Sequence, residues 1–293
     1  MIQPLPKISV ITPSLNQGPF LRRTIESVLN QGYPNLEYFV LDGGSSDNSV
    51  EILQEFADRL TFWVSEPDGG QSRAINRGLE MATGDIVCYI NSDDWYPPGA
   101  LFEVARLFQS RPDIHWVIGR SLYQGSGGDS EVRDCRLSES PERWVGEGPW
   151  LPQASSFWSR QALESVGPFR TDMHYVFDAE FALRLLFSGY RPHCVETILA
   201  HRWLHDDCKT VSSSERFLIE EDRFVELFSS HLSPKQTRVA RTLRLRAWMT
   251  YYRSERNWPK FLSYFVRLCK FAPRSAFSFL RSLIGERLKK KHS

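Results

Sequence analysis

Oxygen-bearing side chains follow four apolar runs of this sequence. Residues 12–14 (Thr-Pro-Ser) follow the first run, Asp42 and Asp68 follow the second and third, and residues 91–94 (Asn-Ser-Asp-Asp) follow the fourth. Because like charges repel, acidic groups from separate runs gather stably where something cationic joins them. Mg²⁺ and Mn²⁺ take oxygen ligands of this kind. The alternative is that these Asp and Ser residues only cap the helices that follow.

Alternating strands and helices are predicted to position these residues. Short β-branched runs bounded by turn residues predict strands at 8–12, 36–41, 60–65 and 86–90. Apolar residues at helical spacing predict helices at 20–29, 49–56, 71–81 and 100–108, with a further strand at 116–118. This alternation predicts an α/β fold, a mostly parallel sheet flanked by helices. Open α/β sheets bind ligands beyond the carboxyl ends of their strands, where the polar residues lie.

The second half of the chain gives weaker patterns. Residues 119–150 are rich in Gly, Ser and charge, which predicts a long loop or flap. A helix is predicted at 176–187, where Glu180 and Arg184 are four residues apart and can form an ion pair. Helices are also predicted at 215–230 and 236–284, with interruptions near Pro259 and Pro273.

Charge is distributed unevenly along the 293 residues. Residues 1–233 contain 20 Lys and Arg and 33 acidic residues, a net charge of −13, whereas residues 234–293 contain 16 Lys and Arg and two acidic residues, a net charge of +14. This split indicates an acidic body and a basic extension. Five scattered cysteines without a C-x-x-C pair suggest neither a zinc site nor a disulfide framework. The absence of a signal-peptide pattern and of a long apolar run favours a cytoplasmic protein.

Several motifs, in their order and spacing, resemble those of family 2 glycosyltransferases, which have a GT-A-type fold. The segments are SVITPSLNQGPFLRRTIESVLNQGYPNLEYFVLDGGSSDNS, EPDGGQSRAINRG, GDIVCYINSDD, LPQASSFWSR, VGPF and FDAEFALRLLFSG. They cover roughly residues 7–210. The resemblance implies a catalytic domain at 1–213, with a Rossmann-like nucleotide-sugar-binding half (1–100) and an acceptor half (101–213). Residues 214–293 would then form a C-terminal helical extension.

The resemblance implies a nucleotide-sugar site at the strand ends. The residues expected to line it are Thr12, Pro13, Ser14, Asn16, Asp42, Asp68, Arg73, Asn91, Ser92 and Asp94. Asp42 corresponds to the acid that accepts a hydrogen bond from the base, a role that a uracil N3–H suits, and Arg73 would reach the diphosphate. Asn91 stands where the family usually has Asp, and its amide can still bond a ribose hydroxyl.

The resemblance further implies a metal site, a catalytic base and an acceptor pocket. Mn²⁺ or Mg²⁺ is the expected cofactor, with Asp93 as its principal ligand. His205 is expected to bind the metal or to contact the diphosphate. Asp178 corresponds to the catalytic base, although an acid that only stabilises a helix N-terminus is the alternative. Gln153 and Trp158 are expected to line the acceptor pocket, and core packing explains Trp158 equally well.

The implied activity is an inverting transfer of a sugar from a nucleoside-diphosphate sugar, with a UDP-sugar favoured, to an acceptor hydroxyl. A saccharide or lipid-linked acceptor in cell-surface polysaccharide or glycolipid synthesis is expected. The alternatives are a nucleotidyltransferase, although TPSLNQG is not a Gly-rich phosphate loop, and an inert nucleotide-sugar-binding module. A dehydrogenase is disfavoured because no G-x-G-x-x-G follows the first strand.

Residues 257–293 combine aromatic and aliphatic residues with many Lys and Arg, which predicts amphipathic basic helices. Such helices either lie peripherally on an anionic membrane surface, here the inner face of the membrane, or pack on the acidic body. Nucleic-acid binding is not expected, because no recognised module is present.

Overall fold

A computed structural model of the protein describes residues 4–125, 127–149, 151–205, 208–209, 214–279 and 281. The chain divides into a first unit, Met1–Arg136 with Trp150–Val211, and a second unit, Leu137–Pro149 with Ser212–Ser293. Residues 137–149 therefore group with the C-terminal helices, whereas the sequence assigns them to the acceptor half. A functional boundary at residue 213 remains a prediction.

One mixed sheet forms the centre of the first unit. Its strands in the described part of the chain are β1 (Ile8–Ser14), β2 (Leu36–Asp42), β3 (Phe62–Ser65), β4 (Ile86–Tyr89), β5 (Trp116–Gly125), β6 (Ser130–Arg133), β7 (Ser156–Ser159) and β8 (His193–Leu204). Their order is β3–β2–β1–β4–β7–β5–β6, and β8 pairs with β5. The pairs among β1 to β4 are parallel, as is β5 with β8, whereas β6 and β7 are antiparallel to their neighbours. The predicted α/β class is confirmed.

The helices of the first unit pack their apolar faces on this sheet. They are α1 (Gly18–Leu29), α2 (Ser49–Phe56), α3 (Gln71–Met81), α4 (Ala100–Ser110), α6 (Arg160–Val166) and α7 (Phe177–Phe187). Helix α1 buries Leu21, Ile25 and Val28, which helical spacing puts on one face. A Cβ at Gly78 of α3 would lie 2.7 Å from Ile11 Cγ2 of β1. Glycine at this position therefore allows the helix to approach the sheet closely.

The segment predicted as a loop at 119–150 contains regular structure. Strand β5 continues to Gly125 and forms a hairpin with β6, and α5 (Pro141–Glu147) follows in the second unit. The loop prediction is wrong here because some glycine and serine residues of this segment serve close packing and not turns. Gly119 makes room for Leu199 of β8, whose Cγ would lie 2.4 Å from an added Cβ, and Ser121 is fully buried.

The second unit is helical. Besides α5, it contains α8 (Ser214–Asp222), α9 (Phe224–Leu227), α10 (Pro234–Ser254) and α11 (Trp258–Phe271). Ser233 and Gln236 form a capping box at the start of α10. Arg244 of α10 is buried and pairs with Glu221 and Asp222 at the end of α8. Aromatic and aliphatic side chains of α10 and α11 form the core, namely Trp248, Met249, Tyr252, Phe261 and Leu268. Within the described residues, no helix combines the length and apolarity needed to cross a membrane.

Candidate active site

The carboxyl ends of β1, β2 and β3 lie side by side, because Ser14 pairs with Asp42 and Asp42 pairs with Ser65 in the strand register. Asp42 is only 1% exposed. Its carboxylate accepts hydrogen bonds from the Ser45 backbone N–H (2.8 Å), the Ser45 hydroxyl (2.5 Å) and the Ser65 hydroxyl (2.6 Å). The turn after β2 is therefore organised around this buried charge.

The loop after β1 is fastened to the same turn. Asn16 adopts a left-handed backbone conformation (φ 52°), its N–H donates to the Ser45 hydroxyl, and its side-chain oxygen accepts from Ser46 N–H at 2.9 Å. Thr12 is buried and its hydroxyl is 3.0 Å from that of Tyr38. Ser14 differs from Thr12, since its buried hydroxyl has no hydrogen-bond partner among the described residues. Pro13 is buried between them.

Asp68 approaches the turn from the loop after β3. Its Oδ1 accepts from Gly70 N–H at 2.7 Å, and its Oδ2 lies 3.0 Å from the position of a Cβ at Gly43. Glycine at position 43 thus leaves room for the carboxylate. Arg73 is exposed, and in the described residues no hydrogen bond or ion pair joins its side chain to the acidic groups of the strand ends. Asp42 and Asp68 are brought together, whereas Arg73 lies outside their hydrogen-bond network.

The Asn91–Asp94 turn follows β4 and is held by α1. Asp94 N–H donates to the Asn91 carbonyl at 3.1 Å, and the Thr24 hydroxyl contacts the carbonyls of Ser92 (2.8 Å) and Asp94 (2.6 Å). The side chain of Ser92 is buried. The Asn91 amide oxygen accepts from Gln71 Nε2 at 2.8 Å.

Two residues that the sequence analysis missed extend this network. Gln71 begins α3, and its side-chain oxygen accepts from Lys209 Nζ at 2.9 Å while its amide nitrogen donates to Asn91. The Lys209 ammonium is thereby held next to the Asn91–Asp94 turn. Lys209 directly follows the HDDC segment that begins at His205. Its positive charge next to that segment is the only sequence feature that points to a role in the site.

Asp93, His205 and Cys208 form a cluster whose candidate ligand atoms all lie within 4.8 Å of one another. His205 Nε2 is 3.3 Å and Cys208 Sγ is 3.7 Å from Asp93 Oδ2. Mg²⁺ prefers oxygen ligands, whereas an imidazole and a thiol suit transition-metal ions. The donor set therefore suits a transition-metal ion better than Mg²⁺. The His-x-x-Cys spacing indicates two candidate metal ligands, although Cys208 was not among the predicted site residues.

Asp94 is buried and faces Arg202 of β8. Arg202 Nε lies 3.6 Å from Asp94 Oδ2, and Trp203 N–H donates to Asp94 Oδ1 at 3.2 Å. Burial raises the pKa of Asp94 to about 7; the Asp93 charge adds to this effect and Arg202 opposes it. The Arg202 guanidinium is also held by the Tyr123 hydroxyl at 3.3 Å. Arg202 was not among the site residues predicted from the sequence motifs.

Asp178 lies in the first turn of α7, where its Oδ1 accepts from Ala179 N–H at 2.8 Å. Burial raises its pKa, and the positive charges of Arg202 and Lys209 oppose this effect. The same two cations that border the Asp93–Asp94 turn therefore act on Asp178. Further along α7, Glu180 and Arg184 form the expected ion pair at 3.0 Å.

The two predicted acceptor residues lie in different surroundings. Gln153 is partly buried, and its Nε2 donates to the Tyr89 carbonyl at the end of β4. Trp158 is 4% exposed, and its ring contacts the rings of Tyr89, Phe169 and Phe181. This burial favours core packing over acceptor stacking for Trp158.

The fold is of the GT-A type. It combines a mixed sheet that has four parallel strands with polar groups at the carboxyl ends of those strands and a candidate metal-binding cluster after β4. Two solved structures share this fold. Staphylococcus aureus TarS 1-349 in complex with UDP-GlcNAc matches with a TM-score of 0.64 at 16% identity, over 92% of this chain and 82% of that one. The mannosyltransferase PcManGT from Pyrobaculum calidifontis, in complex with GDP-Man and Mn²⁺, matches with a TM-score of 0.62 at 18% identity, over 97% and 81%.

Sequence comparison gives the family. The family model described as Glycosyl transferase family 2 matches residues 9–151. The uncharacterized glycosyltransferase MT1564 of Mycobacterium tuberculosis is 30% identical over 181 residues, which are 61% of this chain and 68% of the relative. The chain belongs to glycosyltransferase family 2, and it is therefore a glycosyltransferase.

Proposed function

We propose that the protein is an inverting transferase that moves a sugar from a nucleoside-diphosphate sugar, preferably a UDP-sugar, to an acceptor hydroxyl. The observation that carries the proposal is that Arg202 lies beside Asp94 and that the positive charges of Arg202 and Lys209 both act on Asp178. Asp93 adjoins Asp94 in the same turn. A site with both signs of charge suits a reaction that takes a proton from one partner and releases a diphosphate from the other. The acceptor is proposed to be a saccharide or lipid-linked hydroxyl at the cytoplasmic side of a membrane.

The nucleoside is proposed to bind over the turn after β2. A carboxylate offers about four acceptor sites, and three donors within the chain contact Asp42, so one site remains for a base N–H. The unpartnered hydroxyl of Ser14 supplies a further hydrogen bond, and Asp68 and Asn91 suit ribose hydroxyls. The two structural neighbours bind UDP-GlcNAc and GDP-Man respectively, so they do not distinguish between the nucleotides. The preference for UDP rests on the fit of a uracil N3–H to Asp42.

The diphosphate is proposed to lie between the Asp93 cluster and Lys209. Asp93, His205 and Cys208 would supply the ligands for a divalent ion such as Mn²⁺, and Lys209 supplies a positive charge fixed through Gln71. A divalent ion held there would offset the negative charge that develops on the leaving diphosphate. Arg202 lies beside buried Asp94 and so supports the turn that carries Asp93.

Asp178 is proposed to accept the proton of the attacking hydroxyl. A general base works best when its pKa is closer to the working pH, and burial moves the pKa of Asp178 upward in that direction. Its hydrogen bond with Ala179 leaves the second carboxylate oxygen for the acceptor. Displacement by that hydroxyl from the face opposite the diphosphate would invert the anomeric centre.

Donor binding measured by calorimetry tests the proposal. UDP-, GDP- and dTDP-linked sugars are titrated into the wild type and into Asp93→Asn, with and without Mn²⁺, and Asp113→Asn serves as a control because Asp113 is exposed and pairs with Arg111. We expect Mn²⁺ to tighten UDP-sugar binding about tenfold or more in the wild type and the control, and not in Asp93→Asn. Equal metal dependence in all three proteins would contradict the metal assignment. Release of a sugar 1-phosphate instead of a nucleoside diphosphate during turnover would indicate nucleotidyl transfer.

A further inference from the structure

Helix α11 of the second unit has an exposed apolar stripe. Trp258, Leu262 and Val266 follow one another at four-residue spacing, which puts them on one face of the helix. Their exposed fractions are 50%, 57% and 50%, although Phe261 and Leu268 of the same helix are buried in the core. Helix α11 is thus apolar toward the core and along part of its outer face. Contiguous exposed apolar side chains of this kind mark interaction sites.

A basic groove lies between α10 and the segment after α11. It has a volume of about 540 Å³, and ten residues line it, of which four are basic and none is acidic. The basic residues are Lys235, Arg238, Arg246 and Arg274. In the described part of the chain, no ion pair joins any of these four to an acidic residue. The groove therefore presents a concentrated positive charge that no described acidic residue neutralises.

The neighbouring groups orient two of these cations. Arg238 donates to the Phe271 carbonyl at 2.6 Å and lies 5.3 Å from the centre of the Phe271 ring. Arg246 lies 5.5 Å from the centre of the Phe279 ring. Because the guanidinium groups already lie over aromatic rings, they lose less conformational entropy when they bind an anion. Exposed Phe277 adds apolar surface to the same segment.

We propose that the second unit binds an anionic membrane surface, with lipid phosphates in the basic groove and the α11 stripe in the interface. Basic residues beside exposed Trp and aliphatic residues are the features of helices that lie in a membrane interface. A nucleic acid would use the positive charge but not the aliphatic stripe. A second copy of the chain would bring a groove of the same positive charge, and the two grooves would repel each other. The inference is independent of the donor and the acceptor of the transferase reaction.

Co-sedimentation of the full chain with vesicles tests this proposal. We expect binding to phosphatidylcholine vesicles that contain about 30% phosphatidylglycerol, weak binding to phosphatidylcholine alone, and a steep loss of binding as salt is raised. Lys235→Gln with Arg274→Gln should weaken binding about 30-fold, because each basic residue near the surface contributes about a factor of five. The matched control is Arg106→Gln with Arg111→Gln, two exposed residues of the first unit.

The stripe is tested separately. Leu262→Asp should weaken binding to anionic vesicles about tenfold or more, and Val132→Asp, on exposed β6, should not change it. Brominated lipids should quench the wild-type tryptophan fluorescence more than that of Trp258→Phe. Circular dichroism and donor binding confirm that each variant is folded.

Three results would overturn the proposal. The first is no binding to anionic vesicles, or equal binding to neutral ones. The second is equal loss in the groove variant and its control. The third is a Leu262→Asp variant that dissociates an oligomer but binds vesicles normally, which would make the stripe a contact between copies.

Discussion

Replacing Asp178 by Asn tests the proposed base with almost no change of shape. The amide oxygen of Asn can still accept from Ala179 N–H, as Asp178 Oδ1 does at 2.8 Å, but the side chain can no longer take a proton. A positioned general base contributes a factor of about 10²–10⁴, which is about 3–5 kcal/mol of activation free energy. We therefore expect kcat to fall by that factor while the donor dissociation constant changes little.

The pH dependence gives a second measurement. Burial raises the pKa of Asp178, so the ionised base is lost as the pH falls through that raised value, and the wild-type rate should fall with it. The residual rate of Asp178→Asn should lack this decline. Because the folded state holds this proton more tightly than the unfolded state, ionisation of Asp178 costs stability as the pH rises above its unfolded pKa. The Asn variant should therefore be at least as stable as the wild type at neutral pH.

The assay follows release of the nucleoside diphosphate at saturating donor, with calorimetry for donor binding and thermal unfolding for stability. Asp172→Asn is the control, because Asp172 is an exposed acid six residues away that pairs with Arg170. An Asp178→Asn variant within about threefold of wild-type kcat would refute the base assignment. A large loss of stability would show that Asp178 has a structural role instead.

Three further predictions concern the metal cluster, the nucleotide turn and the core. Addition of Co²⁺ to the wild type should produce a sulfur-to-metal charge-transfer absorption, which Cys208→Ser should abolish. If the wild type shows no such absorption, the thiol is not a ligand. Asp42→Asn should lower the unfolding free energy by about 2–4 kcal/mol, measured by urea titration, because the buried donors of Ser45 and Ser65 lose a charged acceptor; an unchanged midpoint would contradict this. Gly78→Ala should cost about 1–3 kcal/mol through its clash with the sheet, and a variant more stable than the wild type would show that α3 can move away.

The sequence predicts the part of the site that depends on local order. The strand ends after β1 to β4 follow from short apolar runs, and Asp42, Asp68 and Asp93 are found at such ends because side chains after parallel strands share one edge. Arg202, on the other hand, comes from β8, 109 residues after Asp93. Its pairing with Asp94 depends on a long-range strand register for which the local sequence contains no pattern.

Two other differences have the same kind of cause. Trp158 lies on β7, whose antiparallel insertion between β4 and β5 decides that the ring faces a cluster of aromatic residues. Residues 137–149 resemble a polar loop in composition, yet Gly146 lets α5 approach α10 closely, with an added Cβ only 2.8 Å from Leu243 Cβ. In both places tertiary packing, and not local propensity, sets the outcome.

Thr24 has one hydroxyl hydrogen and two carbonyls within reach, those of Ser92 and Asp94. A single proton cannot fully satisfy both acceptors, so it is shared or alternates between them. The two carbonyls belong to the residues before and after Asp93, so this one hydroxyl of α1 contacts the turn on both sides of the candidate metal ligand. Helix α1 thereby fixes the backbone that presents the Asp93 carboxylate.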